Sequence, residues 1–192
     1  MMLSEEDEVD DLTELGDPAL AAAVLELEAH AAGDGWDRPA RLYALVDTHQ
    51  LVAREPALAE AMGLDAASAA GSFTPIEQEL GGDEPLETVL GSIMWPAGVT
   101  GCAAVVERLV LPPRADREIP EDPREAEAFA AEHPDRQEVR IVAGVTRAGA
   151  TYCALRLRAH DDDASVVGGT DLVPGLLELL GSTMDVEEEA SE

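Results

Sequence analysis

Hydrophobic and polar positions along the chain alternate between two periods, and the change of period divides it into elements. Asp17 and Pro18 stand at the head of a 3.6-period pattern, Leu20, Val24, Leu27 and Ala31, with Gly33 beyond it. This predicts a helix capped by a carboxylate, with proline at a first position that needs no donor. Arg41 to Val46 (RLYALV) is short, apolar and aromatic, which predicts a strand. Asp47 and Gln50 then have the spacing of a capping box for a helix carrying Leu51 and Val52, and Pro56 ends it and starts another that stops at Gly63. Residues 64–71 read as a small-residue linker. Residues 72–80 fit either a helical turn, from Thr74, Pro75 and Glu77, or a short edge strand. Asp83 or Glu84 opens a helix through Leu86, Val89, Leu90 and Ile93 that Trp95-Pro96 terminates.

The second half is dominated by period two. Cys102 to Leu111 is almost continuously apolar, as expected of a central strand covered on both faces. A proline-rich connection, 112–136, holds one expected helix, Arg124 to Glu132. Two strands follow, Glu138 to Thr146 and Thr151 to Ala159. Val139, Ile141, Ala143 and Val145 share one face of the first, and Cys153, Leu155, Leu157 and Ala159 one face of the second. A two-residue turn would set Val145 against Tyr152 and mix core with solvent. A three-residue loop, Ala148 to Ala150, sets Val145 opposite Cys153 and Arg140 opposite Arg158, so an odd loop relieved by Gly149 is expected. The last helix, capped by Asp171, presents Leu172, Val173, Leu176, Leu177, Leu180 and Met184 as a wide apolar stripe.

These elements predict a single α+β domain over residues 17–184, an antiparallel sheet of four to five strands with helices packed on it. If 72–80 is a strand and the helices of 48–63 are an insertion, the order resembles that of profilin-like and roadblock-type folds. That likeness concerns element order and assigns no function.

Composition changes the picture at the ends and in the chemistry. The 192 residues carry 41 acidic and 12 basic side chains, a net charge of -29. Seven carboxylates fall in residues 1–14 and five in 185–192, so both ends, 1–16 and 185–192, read as disordered acidic tails. Without those twelve the body still holds 29 acidic against 12 basic groups. Every basic residue is arginine; lysine and asparagine are absent. Walker-A nucleotide binding, lysine Schiff bases and serine-lysine acylation are therefore excluded. Nucleic acid is not an expected partner, since a polyanion meets like charge. A GC-rich genome accounts for this usage, and salt adaptation is the alternative reading. No apolar run approaches a membrane span and no basic-then-apolar leader opens the chain, so a cytoplasmic location is expected. Cys102 and Cys153 read as reduced thiols.

Three constellations carry candidate chemistry. His160-Asp161-Asp162-Asp163 follows a strand and offers carboxylates to a hard cation. It does not fit the calcium-loop pattern: counting from Asp161 puts Val166 where glycine belongs, and from Asp163 puts Pro174 where the bidentate glutamate belongs. The expectation is a solvated acidic turn and no metal. Cys102 and Cys153 lie in strands, where a thiol acts as a small apolar group, and no GxSxG elbow is present. The third is a set of arginines. Arg140, Arg156 and Arg158, with Tyr152, share the face opposite the expected core. Like charges facing each other need interleaved carboxylates, from Glu107, Glu138 or a tail, or else an acidic peptide or anionic ligand gripped in bidentate fashion. Trp36 and Trp95 read as core plugs.

The segments GWDRPARLYALV (35–46), LVAREP (51–56), TPIEQE (74–79), VVERLVLPP (105–113), HPDRQEVR (133–140), CALRLRAHDDD (153–163) and DLVPGLL (171–177) together resemble an uncharacterised family of actinobacterial proteins of about this length. The resemblance covers nearly everything but the tails. It implies a GC-rich source and a free-standing cytoplasmic domain, and it brings no activity, cofactor or catalytic residue to carry over. The expected function is a non-catalytic protein-interaction or adaptor domain, with a homodimer as one candidate assembly. The alternative is a metal-dependent or anion-binding enzyme using residues 160–163 or the arginine face.

Overall fold

A computed structural model describes residues 16–67 and 69–185. Both expected acidic tails, apart from Gly16 and Asp185, lie outside the described residues. The first helix, α1 (Pro18–Asp34), starts as its sequence dictates: the Asp17 carboxylate accepts from the Ala19 and Leu20 amides at 2.9 and 3.2 Å. It ends at Gly35, whose φ of 83° only glycine adopts without strain, two residues later than Gly33 suggested.

β1 (Arg41–Asp47) leads into α2 (Thr48–Arg54) and α3 (Pro56–Ala61), with Asp47 capping through the Gln50 amide at 3.0 Å. The ambiguous segment is a strand, β2 (Phe73–Gln78), at the sheet edge. The next helix, α4 (Leu86–Leu90), is only one turn and a half, because Gly91 already satisfies its last carbonyls. β3 (Gly101–Val110) is central, and after the proline-rich connection α5 (Pro123–Glu132) is capped by Asp122. β4 (Gln137–Thr146), β5 (Thr151–Leu157) and β6 (Val167–Gly169) complete the sheet, and α6 (Pro174–Ser182) closes the described fold. Helix α6 begins at Pro174 rather than after Asp171, a proline start without a side-chain cap.

The fold is α+β, with one antiparallel sheet in the order β2-β1-β3-β4-β5-β6. Six strands replace the four to five expected. The extra one, β6, has three residues, and its Gly168 lies against the Tyr152 side chain, where a Cβ would collide with the phenol. A strand so short and glycine-rich leaves no period-two signal.

The sheet is buried on both faces. On one, α1 lays Leu20, Ala23, Val24, Leu27 and Ala31 over Tyr43, Leu45, Ala103, Val105, Val142 and Ala154. On the other, α4 and α6 cover Leu42, Cys102, Val106, Ile141 and Val145 with Leu86, Leu90, Leu177 and Leu180. The face opposite the expected core is therefore a second core, not a solvent face.

The β4–β5 hairpin keeps the odd loop but shifts it. Arg147, Ala148 and Gly149 form the turn, with the Thr146 amide on the Ala150 carbonyl at 2.9 Å and Gly149 at φ 90°. Val145 then faces Thr151, Ala143 faces Cys153, and Arg140 faces Arg156. The shift is two residues from the expected register, so every side chain keeps its face and only partners change. Arg147 accounts for it: its guanidinium leaves the hairpin to hold the carbonyls of Val99, Met184, Trp95 and Pro96 at 2.8 to 3.0 Å.

Candidate functional site

Register places Arg140 and Arg156 side by side on the α1 face, and both are buried, at 1% and 2% exposure. Two buried cations require anions, and α1 brings one. The Glu28 carboxylate receives Arg156 Nε at 2.6 Å and Nη2 at 3.0 Å, a two-pronged pair in which all partners are buried. The connection after β5 supplies two more: Asp161 accepts from Arg156 Nη1 at 3.2 Å and Asp163 from Nη2 at 2.7 Å. Hydrogen bonds to these carboxylates, Glu28 foremost, hold the Arg156 guanidinium still more firmly protonated than usual.

Arg140 is satisfied differently. Its guanidinium lies 4.2 Å from the Trp36 ring centre and donates to the Gly35 carbonyl at 2.6 Å, with Glu107 at 3.5 Å. Its Nη1 and Glu107 Oε1 are buried without a hydrogen-bond partner among the described residues. Arg158 stands just past β5 and is about a third exposed. It grips Asp37 with two bonds of 2.9 Å, meets Glu138 at 3.2 Å and approaches Trp36 at 5.5 Å. Trp36 therefore has two guanidinium groups near its ring, while its indole N–H donates to Asp161 at 3.0 Å. That bond, with Arg156 beside it, holds the Asp161 carboxyl below its ordinary range; Arg158 does the same to Asp37. Asp37 sits at φ 63°, left-handed for a residue with a side chain, held by its amide on Glu107 at 2.8 Å and its carboxylate on Arg158.

The structure thus joins Arg140, Arg156 and Arg158, and it brings Asp161 and Asp163 of the acidic run onto Arg156. The carboxylates named from sequence, Glu107 and Glu138, are both in place. Tyr152 shares the face but sits further along β5, half-buried opposite Gly144 and under Gly168. His160 ends the short turn after β5, exposed. Among the described residues no three His, Cys, Asp or Glu side chains are arranged to hold a metal ion. As a whole the arginine cluster is an internal clamp joining α1, the loop 35–40 and the end of β5. Chemically, the Arg156 and Arg158 guanidinium groups already have hydrogen-bonded anions, while Arg140 lies on the Trp36 indole.

The thiols are equally committed. Cys102 is buried beneath α6, near the Thr183 hydroxyl at 3.6 Å, and burial pushes its pKa up to about 11. Cys153 is buried and likewise raised.

A surface feature that sequence reasoning missed lies at the other end of the sheet. Two open cavities, of about 770 and 510 Å³, share the wall Gln78, Glu79, Leu80 and Glu84. The larger runs past Glu77 and Asp83 to Arg41; the smaller is floored by Leu80, Val89, Ile93, Met94 and Trp95. Strand β2 ends there and the short α4 leaves its following loop outside, which displays Met94 at 67% exposure. The Trp95 indole donates to Thr183 at 2.9 Å, fixing the ring as a wall. Among the described residues Glu77, Glu79, Asp83 and Glu84 form no ion pair, and Arg41 is already paired with Asp34 at 2.7 Å. The sequence signal was the cluster of carboxylates around glycine 81–82 followed by Ile-Met-Trp, which the expected longer helix concealed.

A family model described as PPA1309-like protein matches residues 20–185. No curated protein matches the chain, and no solved structure does. No helix among the described residues is long and apolar enough to cross a membrane.

Proposed function

The chain belongs to the family of PPA1309-like proteins, and we propose that it is a non-catalytic protein-interaction or adaptor module of the cytoplasm. The observation that carries this reading is the groove between the end of β2 and the α4 loop, where Met94 is exposed beside the fixed ring of Trp95. A flexible thioether over a rigid aromatic wall is suited to receiving apolar side chains of a partner. The ion-paired arginine cluster supports the same reading, because it leaves the domain rigid while its guanidinium groups are occupied. Buried, unpaired Cys102 and Cys153 agree with a reducing compartment.

The test is site-specific photocrosslinking in cells from position 94, with position 58 as control, since Leu58 is also exposed but lies on α3. The expected result is a discrete adduct from position 94 alone. Equal labelling from both positions, or none from either, sinks the reading.

A further inference from the structure

We infer that the groove beside β2 receives a cationic segment of a partner protein, with basic side chains against Glu79 and Glu84 and an apolar side chain between Met94 and Trp95. The inference rests on the proposed interaction module and names the chemistry of its partner.

Two observations converge on it. The first is a local concentration of carboxylates. Glu77, Glu79, Asp83 and Glu84 line the two adjoining cavities, and among the described residues none of the four forms an ion pair, whereas on the α1 face Glu28, Asp161 and Asp163 meet Arg156 and Asp37 and Glu138 meet Arg158. Neighbouring like charges raise the energy of the free protein, and a bound cation removes that repulsion. The Arg41 guanidinium, which lines the larger cavity, is paired with Asp34.

The second is the floor. An acidic patch alone attracts any cation, but Met94, Trp95, Ile93 and Leu80 make this one amphipathic. An aliphatic anchor seated there loses water where it meets Met94 and Trp95, while its flanking arginine or lysine groups reach the rim. A second copy of the chain presenting the same face opposes this charge, and a net charge of -29 disfavours acidic partners generally.

The experiment uses the full chain and three synthetic peptides of equal length: one with arginine and leucine at helical spacing, one with leucine replaced by serine, and one with arginine replaced by glutamine. Binding is read by calorimetry and by NMR shifts of the Met94 methyl and Trp95 indole. The first peptide is expected to bind at the groove, more weakly as salt rises, and to lose about five- to tenfold in affinity with Glu79→Gln/Glu84→Gln. Glu125→Gln/Glu127→Gln on α5 is the control for general attraction and should change nothing. Equal binding of the serine peptide, or equal weakening by the α5 control, overturns the inference in favour of nonspecific charge attraction. Tight binding of the glutamine peptide with shifts at Met94 keeps the groove as a docking site but overturns its cationic preference. Absence of any shift at Met94 and Trp95 with all three peptides overturns the docking site as well.

Discussion

Glu28 on α1 and Arg156 on β5 are 128 residues apart and meet as a buried pair with two parallel hydrogen bonds, of 2.6 and 3.0 Å. The arrangement explains how arginines lying directly opposite each other on neighbouring strands are tolerated: one takes its anion from the helix, the other lies on an indole.

The first prediction follows from that burial. Glu28→Ala leaves the Arg156 cation under α1 with only the more exposed Asp161 and Asp163 for partners. The expected loss of stability is about 3–5 kcal/mol in denaturant unfolding. The double variant Glu28→Leu/Arg156→Met, which removes both charges, should recover most of it. If Glu28→Ala costs less than about 1 kcal/mol, the pair is not the clamp that joins helix and sheet.

Much of this fold could be read in the sequence because local signals were strong and agreed. Asp17-Pro18 and Asp47 with Gln50 start their helices as their residue types require, and the apolar run of β3 announced a strand with two covered faces. What escaped was decided by tertiary contacts. The hairpin register turned on where Arg147 found carbonyl groups, in segments of chain about 40 and 50 residues away. β6 exists because Gly168 fits under Tyr152. The arginine cluster was visible as a set of residues, yet its burial was not, because nothing in the α1 pattern says which face of the sheet Glu28 meets. The groove at Met94 depended on α4 being short, and Gly91 was too weak a signal for that.

Arg158 supplies a contrast with Arg156. Its pairs with Asp37 and Glu138 are at the surface, so Arg158→Gln should lower the melting temperature only slightly, and less still at high salt. Thermal melts at low and high ionic strength check this. A loss comparable with that of Glu28→Ala would mean that the loop 35–40 is held mainly through Arg158 rather than by Trp36 on Arg140.

Helix α1 approaches the sheet at Gly144. A Cβ built there would stand 2.8 Å from Val24 Cγ2 and 3.0 Å from Leu20 Cδ1, closer than carbon atoms pack. Gly144→Ala should therefore destabilise by about 1–3 kcal/mol, despite alanine's advantage in unfolded-state entropy. Gly144→Ala combined with Val24→Ala should be less destabilised than the two separate effects added, because the smaller neighbour admits the methyl group. Simple additivity in that cycle would refute close packing as the cause.

Cys102 makes stability depend on alkaline pH, with a sign that can be worked out. Burial raises its pKa in the folded protein to about 11, from 9.0 for a free thiol, so the folded state holds the proton more tightly. The resulting stabilisation is complete below pH 9 and is lost as pH rises towards 11, on the order of 2–3 kcal/mol over that window. With no lysine in the chain, the side-chain amines that titrate in this range in most proteins are absent. Denaturant midpoints measured from pH 8 to 11 should fall more steeply for the natural chain than for Cys102→Ala. Native protein at pH 8 should also resist alkylation at Cys102, which becomes reactive on unfolding. Parallel pH curves for the two chains, or fast native alkylation of Cys102, would show that this thiol is open to solvent rather than sealed beneath α6.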